Sequence, residues 1–190
     1  MSRDSIRSVL IARRHPGVRV PSAAVKRLVA VLDEGFRVLP ADLPHLLPNA
    51  RARARAQFAA KKGPPPSVLP AGELSLVFLT DTALAELHGS FLGDPSLTDV
   101  ITFEADVLAG TAGEVCVSVD TAARYAREEG RDFAEELSLY LVHGLLHLAG
   151  YDDLAPARKR RMRLAERRAL QLLRQHAAIP AFQTTPRRRR

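Results

Sequence analysis

Apolar residues recur along the chain at two spacings, which predict two kinds of secondary structure. A spacing of three to four residues predicts helices at about 21–36 and 155–173. A long apolar run predicts a buried helix at 133–149, and capping residues predict helices at 82–88 and about 121–129. Runs of β-branched and aromatic residues predict strands within 5–20 and at 73–80, 99–104 and 114–119. Asp81, Asp120 and Asp132 are placed to cap three of the helices. Strands and helices alternate without a strict βαβ repeat, which favours an α/β (α+β) fold: one mixed sheet of about four strands flanked by helices.

The segment 37–72 interrupts this pattern with seven prolines and several arginines. Prolines at this density cannot lie inside a regular core element. We therefore predict a single domain over residues 1–175 that carries a Pro/Arg-rich surface insertion at 37–72. One short helix is expected within the insertion, at about 49–61, and the basic tail at 176–190 is expected to be disordered.

Composition is that of a globular protein, with 190 residues, 46% hydrophobic and 26% charged. Cys116 is the only cysteine and falls in a predicted strand, which indicates an inert core thiol in a reducing compartment. The first apolar run is interrupted by Asp4 and Arg7, which is unlike a signal peptide, and no apolar stretch approaches the roughly 20 residues that span a membrane. We expect a cytoplasmic protein.

The positive charge is concentrated at the C-terminal end of the chain. Twelve Lys and Arg residues follow residue 154 against one acid, Glu166, whereas the earlier part of the chain is net acidic. Such a patch suits phosphates, so nucleic acid is the expected partner. The candidate contacts are Arg158, Lys159, Arg160 and Arg161. The alternative is a solvated helix face that only aids solubility.

The stretch 143-HGLLHLAGYDD-153 carries the candidate chemistry. His143 and His147 lie four residues apart, on one face of the predicted helix 133–149. Gly150 can adopt the left-handed conformation that ends a helix, so that Asp153 folds back towards the histidines. Two imidazoles and a carboxylate are common Zn²⁺ ligands that leave a fourth position for water. We predict one divalent ion, Zn²⁺ by preference; the alternative is a hydrogen-bonded pair of core histidines.

The same spacing occurs in zinc proteases with the extended pattern H-E-x-x-H-x-x-G-x-x-H. In this chain Gly144 takes the place of the glutamate that serves those enzymes as general base. The pattern therefore argues against a peptidase. No side chain is assigned a catalytic role. The expected nucleophile is the water bound to the metal.

These motifs resemble those of the YbeY family of bacterial endoribonucleases. The family signature H-G-x-L-H-L-x-G-Y-D-H matches 143–153 except at Asp153, and 98-TDVITF-103, 113-GEV-115 and the pair Met162 and Glu166 also correspond. The resemblance covers about 73–173. It implies a zincin-like domain with its zinc site at the end of the central helix, held by His143, His147 and Asp153.

The resemblance also implies a function. The expected activity is metal-dependent, single-strand-specific cleavage of RNA in ribosomal RNA maturation, including the 16S 3′ end, and in ribosome quality control. The expected partners are ribosomal RNA and the small subunit, with neither membrane nor DNA.

Three positions affect how closely the family's site and activity apply to this chain. Asp153 replaces the family's third histidine and makes the site one charge more negative. Asp152 matches the family's own aspartate and is expected to support the ligands or to close the turn. Leu92 stands where the family has an arginine that would hold the phosphate. Leu92 and Asp153 favour an alternative, a non-catalytic, metal-containing, RNA-binding assembly factor. A third interpretation is a metal hydrolase of small esters or peptides.

Overall fold

The computed structural model describes residues 7–59, 69–106 and 108–185 and contains a four-stranded mixed sheet. In chain order its strands are β1 (Val9–Arg13), β3 (Glu73–Leu79), β4 (Val100–Phe103) and β5 (Thr111–Ser118), and a separate ribbon pairs β2 (Val18–Arg19) with β6 (Gln183–Thr184). The spatial order is β1-β3-β5-β4, where β1, β3 and β5 are parallel and β4 runs antiparallel to β5. The predicted mixed sheet is confirmed.

Helices flank this sheet. They are α1 (Ser22–Gly35), α2 (Pro48–Ala59), α3 (Asp81–Leu92), α4 (Val119–Glu128), α5 (Phe133–Leu148) and α6 (Pro156–Gln175), with a 3-10 helix at Pro40–His45. Each predicted helix is present, with ends shifted by a few residues. Among the described residues, no helix is both long enough and apolar enough to cross a membrane.

Two predicted helix caps are wrong. The hydroxyl of Thr80, not the carboxylate of Asp81, accepts the Ala83 N–H at the start of α3. Likewise the Ser118 hydroxyl caps α4 by accepting the Thr121 N–H, in place of Asp120. Both acids are engaged elsewhere, because Asp81 accepts hydrogen bonds from Ser118, Thr121 and Arg124, and Asp120 accepts the Asp81 N–H. The third cap, Asp132 on α5, is confirmed.

The core forms where α5 packs against the sheet. Leu137, Leu141 and Leu145 of α5 are buried, as are Leu76 of β3 and Val115 of β5, which are paired in the sheet register. The opposite side of α5 packs against α6. A helix covered on both sides must be apolar nearly all round, which explains the composition of α5.

The insertion is only partly a surface segment. Leu46, Ala50, Ala54 and Leu69 are buried in the main core, and Leu46 is completely inaccessible to solvent. Small residues at 50 and 54 lie on one face of α2 and allow a close approach to the chain after α5. The prediction of a surface excursion is therefore wrong for this part, while residues 60–68 lie outside the described part of the chain.

The chain after α6 is also ordered further than predicted. Phe182 is buried and its ring centroid lies 5.7 Å from that of Phe78, while β6 pairs with β2. The predicted disorder from residue 176 is contradicted as far as 185, because burial of Phe182 fixes this segment on the domain. Residues 186–190 lie outside the described residues.

Candidate metal centre

The backbone of α5 places His143 and His147 on one face and turns Gly144 towards the sheet. A Cβ at residue 144 would lie 2.4 Å from Cγ1 of Val115, so glycine is required for α5 to approach β5. A glutamate at this position could not be accommodated without displacing a β-branched core residue. Packing therefore excludes the general base of the zinc-protease pattern.

The turn after α5 confirms the predicted role of Gly150. Its φ is +95°, in the region that favours glycine. The Gly150 N–H donates to the His147 carbonyl at 2.8 Å, and the Tyr151 N–H donates to the Leu146 carbonyl at 2.9 Å. This is the Schellman arrangement, which reverses the chain at a helix end. The reversal returns Asp153 to the histidine face.

His143, His147 and Asp153 converge in space. The two Nε2 atoms lie 3.0 Å apart, and Oδ1 of Asp153 lies 3.8 Å from Nε2 of His147. One ligand atom from each residue falls within 4.8 Å of the others, and no second group of this kind occurs among the described residues. Two ligands of a tetrahedral zinc ion lie about 3.3 Å apart. The donor set therefore fits a divalent ion after small side-chain adjustments.

Glu166 of α6 fixes the orientation of His143, since its Oε1 lies 2.7 Å from Nδ1. Burial lowers the pKa of His143, but the hydrogen bond and negative charge of Glu166 outweigh it, and the net pKa is raised. A histidine that donates its Nδ1 proton to a carboxylate presents the Nε2 lone pair to a metal. Glu166 is a site residue that helical periodicity does not reveal; only the family spacing from Met162 pointed to it.

His147 has the opposite pKa shift. Burial and the neighbouring His143 lower its pKa and outweigh the raising effect of Asp153. A lowered pKa keeps the imidazole neutral near pH 7, which is the form that binds metals. The 3.0 Å distance between the two Nε2 atoms also suits a hydrogen bond between the rings. Because both imidazoles also converge with Asp153 at the edge of a cleft, the arrangement favours a metal site over a hydrogen-bonded histidine pair.

Asp152 makes its contacts within the turn and with α6. Its Oδ2 accepts from Arg158 at 2.6 Å, and its Oδ1 accepts the Leu154 N–H at 3.1 Å. Burial raises the pKa of Asp152, but these hydrogen bonds outweigh it and the net pKa is lowered. Within the described residues no hydrogen bond joins Asp152 to either histidine. Asp152 therefore closes the turn, and its ion pair occupies the Arg158 guanidinium.

A cleft of about 310 Å³ opens beside His143 and Asp153. Of the four predicted RNA contacts, only Lys159 lines it; Arg158 is paired with Asp152, and Arg160 and Arg161 lie elsewhere on α6. Two further cations line the cleft, Arg131 and Arg163, and sequence periodicity alone did not identify them. Leu92 ends α3, and its side chain lies outside what the structure describes.

Comparisons with known proteins show similarity to one family. The sequence model of one family, described as Endoribonuclease YbeY, matches residues 49–174. Endoribonuclease YbeY of Chlamydia pneumoniae is 42% identical over 118 residues, which are 57% of this chain and 75% of that protein. The Anaeromyxobacter sp. (strain Fw109-5) protein of the same name is 43% identical over 93 residues, which are 47% of this chain and 48% of that protein.

The fold is similar to that of solved structures. The solution structure of TM1509 from Thermotoga maritima aligns with a TM-score of 0.51 and 20% identity, over 95% of this chain and 99% of that one. At this identity the likeness concerns the fold alone.

Proposed function

The chain belongs to the YbeY family, and from this premise we propose that it is a metal-dependent hydrolase that cleaves phosphodiester bonds within single-stranded RNA. The observation that carries the proposal is the convergence of His143, His147 and Asp153 at the edge of a cleft lined by three cations. Metal ligands beside cations that can hold a phosphate are what hydrolysis of an anionic polymer requires.

His143, His147 and Asp153 would hold the ion, which we propose to be Zn²⁺. When bound, the ion supplies Lewis-acid chemistry for phosphodiester hydrolysis. Glu166 keeps the Nε2 lone pair of His143 directed at the site through its 2.7 Å contact with Nδ1. The contact between Asp152 and Arg158 holds the turn that carries Asp153. Two of the three ligands, His143 and Asp153, are thus supported by residues outside the ligand set.

We extend the proposal to the biological substrate. Family membership and the basic face of α6 support a role in ribosomal RNA maturation at the small subunit, including the 16S 3′ end, and in ribosome quality control. A cytoplasmic location follows from a ribosomal substrate.

A second candidate is a non-catalytic, metal-containing assembly factor that binds RNA. The observation that favours it is Leu92 at the position of the family's arginine, which removes one cation for the transition state. This candidate predicts RNA binding without cleavage.

One experiment separates the two candidates. A labelled precursor of small-subunit RNA is incubated with the metal-loaded wild type, with His143→Ala, and with His176→Ala as the control for removal of an exposed histidine outside the site. Cleavage by the wild type and by His176→Ala, but not by His143→Ala, supports the enzyme. Binding by all three without cleavage under any divalent ion supports the assembly factor and overturns the enzyme.

A further inference from the structure

We propose that the cleft beside His143 contains a nucleotide subsite with two walls, in which Lys159 and Arg163 bind a backbone phosphate and the stacked pair Tyr125 and Arg131 binds an unpaired base. The ligand class is single-stranded RNA, so the proposal rests on the proposed function and assigns it a binding mode. All four side chains line the same cleft as His143 and Asp153.

The phosphate wall lies on α6. Lys159 and Arg163 are four residues apart, so their side chains project from one face of the helix, and both are exposed. Three other arginines of α6 are paired with acids, namely Arg158 with Asp152, Arg168 with Asp42 and Arg174 with Glu135. By contrast, neither Lys159 nor Arg163 forms an ion pair with any residue that the structure describes. Their charge is therefore available to a ligand.

The base wall lies at the end of α4. The Arg131 guanidinium carbon is 5.5 Å from the centroid of the Tyr125 ring, and the Arg131 N–H donates to the Ala126 carbonyl at 2.7 Å, which returns the chain over the ring. Tyr125 is 41% exposed although it is aromatic. Exposed aromatic rings and guanidinium planes are the surfaces on which proteins stack unpaired bases. Bases in a duplex are already paired and stacked, so they do not offer a free face to such a pair.

The charge of the cleft explains why the cations are needed. Four acids line it, Asp99, Glu136, Asp153 and Glu166. Arg131 lies 3.4 Å from Glu136 and offsets that acid. Without Lys159 and Arg163, the remaining acids would repel a phosphate approaching the metal ligands. Asp153 adds one negative charge compared with a histidine at that position, and Leu92 supplies no cation. The cations of α6 therefore take over the attraction of phosphate in this chain.

The phosphate wall is tested by charge removal on α6. The metal-loaded full chain is titrated with a fluorescein-labelled, unstructured oligoribonucleotide, with Arg163→Gln and Lys159→Gln compared against Arg167→Gln. Arg167 is exposed on the same helix but does not line the cleft. We expect a roughly tenfold weaker Kd for the first two and less than twofold change for Arg167→Gln, with a log–log salt slope shallower by about 0.7 per lost contact. Equal effects of all three would show a diffuse patch and overturn this wall.

The base wall is tested with Tyr125→Ala and its conservative control Tyr125→Phe. Loss of one stacked base is expected to weaken binding of the single strand by about tenfold in the alanine variant. The phenylalanine variant keeps the ring and should bind within twofold of the wild type. Duplex RNA of the same sequence should bind both variants equally, which a general loss of folding would not produce. Wild-type affinity of Tyr125→Ala for the single strand would overturn this wall.

Failure of the subsite is distinguishable from failure of the proposed function. If the wild type cleaves RNA while Arg163→Gln and Tyr125→Ala bind like their controls, the function stands and the subsite is wrong. If the variants lose binding as expected while the wild type never cleaves, the subsite stands and the endoribonuclease proposal fails.

Discussion

Glu166 connects two helices through a single contact with a metal-ligand candidate. Its carboxylate is 15% exposed and 2.7 Å from Nδ1 of His143, which makes it a half-buried, charge-assisted partner. A carboxylate in this position raises the basicity of the opposite nitrogen and restricts the rotation of the ring. Partners of this kind commonly change metal affinity by about 10- to 100-fold.

We therefore predict that Glu166→Gln binds Zn²⁺ about tenfold more weakly than the wild type, since the neutral amide no longer polarises the imidazole. The measurement is competition with a chromogenic chelator. The control is Glu128→Gln, which removes an acid from exposed α4 surface. Identical zinc affinities for both variants would show that Glu166 does not act on the site.

Gly150 is required for a second reason besides its φ. A Cβ at this residue would lie 1.9 Å from Cβ of Ala50, where the insertion crosses the turn. Gly130 has a positive φ of +64° as well, but a Cβ there would meet no atom within 4 Å. Comparing alanine substitutions at the two glycines therefore separates the free-energy cost of the backbone conformation from that of the contact with Ala50.

Gly130→Ala is expected to lose about 1–2 kcal/mol of unfolding free energy, the cost of a left-handed alanine. Gly150→Ala should lose clearly more, because α2 must also shift. Urea denaturation of both variants measures the difference. Equal losses would mean that α2 does not press on the turn.

The insertion supports the turn after α5 that carries Asp153. The Leu47 N–H donates to the Gly150 carbonyl at 2.9 Å, and the Tyr151 hydroxyl donates to Oδ2 of Asp42 at 2.8 Å. Arg168 donates to the same Asp42 oxygen at 2.8 Å, so the insertion, the turn and α6 meet at one buried carboxylate. The first two of these hydrogen bonds join a segment rich in proline to Gly150 and Tyr151, in the turn after α5.

Removal of this link should loosen Asp153. Tyr151→Phe leaves a buried acceptor short of one donor, and we expect a loss of about 1–3 kcal/mol in unfolding free energy. We also expect weaker zinc binding, measured with the same chelator. Tyr125→Phe, which removes an exposed hydroxyl, is the control for stability. If Tyr151→Phe matched it in both measurements, the insertion would have no part in positioning the turn.

Local pattern was sufficient for some parts of the molecule. Periodicity and caps predicted α5, and the i, i+4 histidines with a following glycine predicted the convergence with Asp153, because those relations are set within about ten residues. Cys116 also follows its local pattern: it is buried in β5, and burial with the neighbouring Glu114 raises the pKa of its thiol to about 12. Such a thiol is unreactive at neutral pH.

Other parts depend on contacts that no local pattern contains. The pairing of Asp42 with Tyr151 joins residues that are 109 positions apart, and proline density gave no sign that the insertion would pack there. The cleft cations come from α6 and from the loop before α5, so the basic run alone could not separate Arg163 from Arg160. Which charges face the cleft is decided by tertiary packing and by which arginines find acids.

The candidate ligands and their supporting residues involve most of the C-terminal half of the domain, and this links metal binding to folding. α5 supplies the histidines, the turn supplies Asp153, and α6 supplies Glu166. An unfolded chain does not hold these groups together, so an ion that binds only the folded state stabilises it by RT ln(1 + [L]/Kd).

We therefore predict that Zn²⁺ at 100 times its Kd raises the unfolding free energy by about 2.7 kcal/mol over chelated protein. Differential scanning fluorimetry should show a Tm that falls when a chelator is added and recovers with excess zinc. His147→Ala should show a low Tm that responds to neither, while His176→Ala should respond like the wild type. A chelator-induced shift that persisted in His147→Ala would place the ion elsewhere and remove the premise of the proposed chemistry.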